Sequence, residues 1–233
     1  MPLTIPDKWK EVQTPNWDPT DTFDMFQSQG NKQNTGAPLP NPDVYVPPGQ
    51  PGATGYDPVK DKGLQLVLKG NNQNKIAPSM YNPWDLPGST GGDDYRANIG
   101  GCNQNLVKMG DNMTPENGNM VGPTQQGVDD LKALDPNAHW DDGCKCLLGT
   151  KDPTGWSPRI RVVPLYDPSV YAQGQQSGKS GPQLTVVNYL GFFIEDVTGS
   201  GDVTGRIMPI SGITSGTGAP PVGAFAQSIR LVK

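Results

Sequence analysis

Between positions 34 and 58 the chain reads NTGAPLPNPDVYVPPGQPGATGYDP, with seven prolines in 25 residues. Proline lacks a backbone N–H and holds φ fixed, so such a stretch forms neither a helix nor a central strand. It has to run as ordered loop, with DVYVPP at most a short edge strand. The same punctuation continues along the chain, where glycine (30) and proline (25) make up 55 of 233 residues. Average usage is roughly half that. With 33% hydrophobic residues, long helices and a parallel sheet are not expected. Five tryptophans and several β-branched runs argue against disorder. The expectation is a mainly β fold: residues 1–62 as a loop-rich wrap, and residues 63–233 as a β-rich core that forms one unit with it.

The apolar pattern places the strands. LQLVLKG (64–70) alternates Leu64, Leu66 and Leu68 on one face, the period of a half-buried strand. RIRVVPLYD (159–167) alternates Ile160, Val162 and Leu165 around a proline. LTVVNYLGFFIEDV (184–197) is long, and Gly191 within it suggests a bulge or bend. TGSGD then turns the chain into VTGRIMPIS as a hairpin, and AFAQSIRLVK (224–233) closes as a last strand. One helix signal is clear: Val128, Leu131 and Leu134 recur at spacing three after Pro123, and Asp135-Pro136 stops it. These elements predict an antiparallel sheet or sandwich with one short helix over about 123–135.

Charge excludes several partners. The net charge is −5, with no cluster of Lys or Arg, so nucleic acid and anionic membranes are poor partners. The longest apolar stretch surrounds YLGFFI, too short to span a bilayer. MPLTIPDKWK does not read as a signal peptide. The expectation is either a cytosolic chain or one whose targeting segment lies elsewhere.

Chemistry is sparse. GQQSGKSG (174–181) is one residue short of a phosphate loop, and Pro182 follows where a helix is needed. GSGDVTG (199–205) lies between strands and reads as a turn. The only histidine, His139, stands near Asp141, Asp142, Cys144 and Cys146. Those are zinc donor types, but C-x-C is tighter than usual and no second ligand pair follows. A disulfide from Cys102 to Cys144 or Cys146 is preferred. It would close about forty residues and contribute about 4 kcal/mol in the chain-entropy model. Asp18, Asp21 and Asp24, and the pair Asp93 and Asp94, are weak calcium candidates, because their spacing does not match the alternating ligand loop. No catalytic residue and no cofactor is expected. Trp9, Trp17, Trp84, Trp140 and Trp156 are expected to pin loops, with one or two marking a partner surface.

Several blocks carry a resemblance. IPDKW, DVYVPPG, DLPGSTGGDDYRANIGGCN, GNMVGPTQQGVDDLKALDPNAHWDD, SPRIRVVPLYDP, VVNYLGFFIEDVTGSGDVTGRIMPI and AFAQSIRLVK resemble the carboxy-terminal region of TadE/TadG-like proteins of Flp (Tad) pilus assembly. The resemblance covers almost the whole chain. It implies an extracytoplasmic body, periplasmic or at the bacterial cell surface, whose partners are other protein subunits and whose role is structural rather than enzymatic. Members carry an amino-terminal anchor and a cysteine ahead of the IPDKW block, and neither is present here. One thiol would then lack its partner. The alternatives left open are a secreted binding module or adhesin, with or without calcium, and a hydrolase built from distant carboxylates.

Overall fold

The computed structural model describes residues 1–211 and 226–227, apart from positions 15, 58, 72–73, 102, 104–105, 117, 119 and 179–181. In chain order the first half contributes β1 (Leu3–Pro6), β2 (Gln65–Gly70), β3 (Met80–Asp85), α1 (Gly91–Gly100), β4 (Asn112–Pro115) and α2 (Val121–Leu134). The second half adds β5 (His139–Asp141), β6 (Cys146–Leu148), β7 (Ile160–Tyr166), α3 (Pro168–Gln176), β8 (Leu184–Val197), β9 (Val203–Met208), β10 (Ile210–Ser211) and β11 (Ala226–Gln227).

The mainly β expectation holds, but the sheet is neither plain antiparallel nor a sandwich. Six strands close into a barrel in the order β1-β7-β8-β9-β2-β3 and back to β1. Two of its pairings, β1 with β7 and β2 with β3, are parallel. The other four are antiparallel. The cause lies in β8. Its 14 residues pair with β7 along one edge and β9 along the other, while its first residues pair with β4. Bends at the register shifts between Leu165 and Tyr166 and between Ile194 and Asp196 let this strand curve. Closure then leaves few open edges for unwanted pairing.

Gly191 is not where β8 bulges. It sits in regular register between Val162 and Met208. A Cβ there would run into the Met208 carbonyl and the Ile210 side chain, so the glycine serves close strand approach. The alternation of β7 agrees with expectation at Leu165 but not at Val162. Val163 and Leu165 point into the main core, while Val162 is 44% exposed. Because IRVVPLY is apolar at both phases, a one-residue offset exchanges its faces without an obvious penalty in the sequence.

The main core joins Leu3, Ile5, Leu66, Leu68, Val163, Leu165, Leu190, Phe192 and Ile194 from the strands to Tyr95, Ile99, Val128 and Leu131 from α1 and α2. Among the described residues there are three helices rather than one. The tract read as loop before Cys102 contains α1, and α3 follows Asp167, whose carboxylate accepts from the N–H groups of Ser169 (2.8 Å) and Val170 (3.1 Å). An N-cap aspartate followed by proline at the first helical position is a strong start signal. None of the three is long and apolar enough to cross a membrane.

A second core ties the N-terminal wrap to the barrel: Trp9, Phe23 and Ile76 pack with Trp84, Leu86, Met113, Tyr166 and Tyr171. Because β1 is itself a barrel strand, wrap and core are built together. DVYVPP forms no strand; Val44 makes one isolated bridge to Lys10. Of AFAQSIRLVK, Ala226 and Gln227 pair in parallel with β10, and the rest lies outside the described residues.

Candidate functional site

The acidic loop residues cap their own turns. Asp18 accepts from the Thr20 N–H (2.8 Å) and hydroxyl (2.6 Å), bonds that hold its carboxyl below the usual range. Asp21 accepts from the Asp18 N–H, and Asp24 from Thr22 and Gln33. Asp93 and Asp94 lie in the first turn of α1, where the helix dipole favours them. Among the described residues no three Asp, Glu, His or Cys side chains gather as metal ligands.

The exit of α2 is tied down differently from the expected link to Cys102. The sulfurs of Cys144 and Cys146 lie at bonding distance from each other, with Cα atoms 5.3 Å apart; Cys102 is outside the described residues. A link between residues two apart contributes about 1.6 kcal/mol in the chain-entropy model, less than half the value for a forty-residue loop. The tie is Arg159, which is 4% exposed. Its guanidinium donates to the carbonyls of Asp135, Ala138, Ile194 and Glu195 at 3.2, 2.8, 2.9 and 2.7 Å. It also lies 4.9 Å from the centre of the Phe193 ring. His139 Nδ1 sits 2.9 Å from the Asn137 carbonyl, Asp141 accepts from the Cys144 N–H, and Asp142 accepts from Trp140 and Arg206.

Three carboxyl sites escaped the sequence reading. Asp7, fully buried, accepts from Lys8 N, Tyr45 Oη, Tyr56 N and Asn188 Nδ2 at 2.9–3.2 Å. Burial raises its pKa to about 6 against those bonds. Glu11 and Asp43 share the Val12 N–H, at 3.1 and 2.9 Å; burial first, then Glu11, raises Asp43 to about 7. Asp85, at the end of β3, is raised to about 6 by burial first and then by the neighbouring Glu116 carboxyl. Long-range pairing of loops creates all three, and no local spacing announces it.

An apolar groove of about 470 Å³ opens on the surface. The outer face of β7 forms one wall through Ile160 and Val162, and Leu106, Val107 and Tyr189 form another. Trp84 also lines it, 3% exposed, with a buried indole N–H that has no acceptor among the described residues. At the rim Trp156 is 52% and Leu106 69% exposed. Tyr189 fixes one side by donating to the Val107 carbonyl (2.6 Å).

No family model, curated protein or solved structure matches the chain.

Four of the five tryptophans are accounted for by packing. Trp9 meets Trp17 and Phe23 edge-on at 6.2 and 5.4 Å. Trp17 lies under Lys8 Nζ at 4.6 Å, Trp140 faces Arg206, and Trp84 is core. Trp156 is the one left in solvent. An exposed indole beside an exposed leucine in an apolar groove can take up apolar side chains from another molecule.

Proposed function

We propose that this chain is a non-enzymatic interaction domain of an extracytoplasmic assembly of the Tad pilus type, and that the groove bordered by Trp156 and Leu106 receives a segment of a partner subunit. The carrying observation is that groove, where two large apolar side chains stay in solvent although a fold this rich in loops could have covered them. The sequence resemblance supports the setting. Aromatic and aliphatic anchors in a partly preformed apolar pocket are the usual centre of a binding surface.

Photocrosslinking from position 156 in the producing cell tests this. The expected product joins the domain to a surface-assembly subunit, and Leu106→Asp abolishes it. Equal crosslinking from a polar position such as Lys60, or a cytosolic product, would reject the reading.

A second reading, a hydrolase, has one observation in its favour: the neighbouring carboxyls of Asp85 and Glu116, of which Asp85 is raised, as acid–base chemistry requires. Turnover of glycoside or ester substrates that disappears in Glu116→Gln would support it.

A further inference from the structure

The Cys144–Lys145–Cys146 turn adds little to the fold, yet it places two sulfurs together at the tip of a hairpin. We propose that this turn is a site of thiol–disulfide exchange, where an external thiolate opens the bonded pair while the domain stays folded. Access is the first argument. Cys144 and Lys145 are exposed, and Cys146 is half-buried. Independence of the scaffold is the second. The hairpin is held by the ladder His139↔Leu148, Trp140↔Leu147 and Asp141↔Cys146. Beneath it Leu147 is buried with Ala138 and Phe193, and Arg206 Nη1 reaches Asp142 Oδ1 at 3.2 Å. None of these contacts needs the sulfur–sulfur bond. The third argument is backbone conformation: Lys145, between the two cysteines, holds φ at 51°, in the left-handed region that a non-glycine residue rarely adopts.

The charged side chains carried by the turn are Lys145, Asp141 and Asp142; Asp141 accepts from the Cys144 N–H and Arg206 pairs with Asp142. In the first step the thiolate attacks Cys144 Sγ. A bond forms between the incoming sulfur and Cys144 as the Cys144–Cys146 bond breaks, and Cys146 leaves as a thiolate that takes a proton from water. A second thiolate then attacks the mixed disulfide. Two thiols are oxidised to one disulfide, and the cysteine pair receives the two electrons. Small thiols and protein dithiols share this chemistry.

The test uses the full chain, wild type and Cys102→Ser, in glutathione buffer without denaturant, quenched by alkylation and read by intact mass and peptide map. A parallel arm replaces glutathione with a thioredoxin-type dithiol protein. The expected result is alkylation at both Cys144 and Cys146 with unchanged circular dichroism, at a rate within about a hundredfold of that in the unfolded chain. A trapped adduct with glutathione alone identifies small thiols as the better reactant, and faster opening by the dithiol protein identifies protein partners. Slower opening than that limit, alkylation without any reductant, or a map joining Cys102 to Cys144 or Cys146 would overturn the proposal.

Discussion

Asp7 shows what a single residue contributes here. Four donors converge on its carboxylate from Lys8, Tyr45, Tyr56 and Asn188, so it links the first barrel strand, the wrap and β8. Asp7→Ala leaves those donors facing a buried void. The expected cost is on the order of 3–5 kcal/mol, since each buried group left unpaired costs about 1–3; urea unfolding would measure it as a lower midpoint. Trp84 behaves in the opposite way. Its indole N–H is buried without an acceptor among the described residues, so Trp84→Phe removes an unpaired donor along with some contact area. We expect that variant to stay within about 1 kcal/mol of the parent, whereas Trp84→Ala loses roughly 3–5. Equal losses in the two variants would show that the indole N–H is satisfied in solution.

At the scale of elements, α1 and α2 meet across a glycine. A Cβ on Gly127 would stand 2.9 Å from the Arg96 carbonyl and 2.8 Å from Ile99 Cβ. Alanine normally gains about 1 kcal/mol over glycine inside a helix. Gly127→Ala is expected to be destabilising all the same, because the backbone of α1 has to move, and a thermal scan with a raised melting temperature would contradict the close crossing. The exit of α2 depends on Arg159, whose guanidinium satisfies four carbonyls. Arg159→Lys cannot reproduce that planar fork. A loss of about 2–4 kcal/mol is expected, with hydrogen exchange rising first in the β5–β6 hairpin. Loss spread evenly over the barrel would argue that Arg159 is not a local tie.

The whole molecule has an unusual acid balance. Burial raises Asp7 to about 6 and Asp43 to about 7. Above its ordinary value, a carboxyl binds its proton more tightly in the folded chain than in the unfolded one. The associated stability is complete below about pH 4 and is lost as pH rises through 6 to 7. Asp7 alone accounts for roughly 3 kcal/mol. The exposed carboxylates Asp18, Asp130 and Asp152, held low by hydrogen bonds, act the other way below about pH 4, and exposure keeps their effect small. Unfolding free energy should therefore fall between pH 4 and pH 7, and Asp7→Asn should flatten that slope. A curve rising over that interval would mean that the four donors, rather than burial, dominate at Asp7.

Local chemistry carried much of this protein in the sequence alone. Alternating leucines marked β2, the run 184–197 marked β8, the spacing of Val128, Leu131 and Leu134 marked α2, and the prolines marked the wrap, because each of these depends on neighbours a few residues away. The Asp167-Pro168 start of α3 was equally local and could have been read. What the sequence could not determine was barrel closure, the facing of β7 at Val162, the three carboxyl sites and the groove beside Trp156. Strand partners, and therefore which face of an evenly apolar strand is covered, are set by contacts more than a hundred residues apart, such as Met1 with Val162 and Asp7 with Asn188. Only the assembled barrel decides which side chains lose water, and burial is what raises a carboxyl pKa or leaves an indole at a rim.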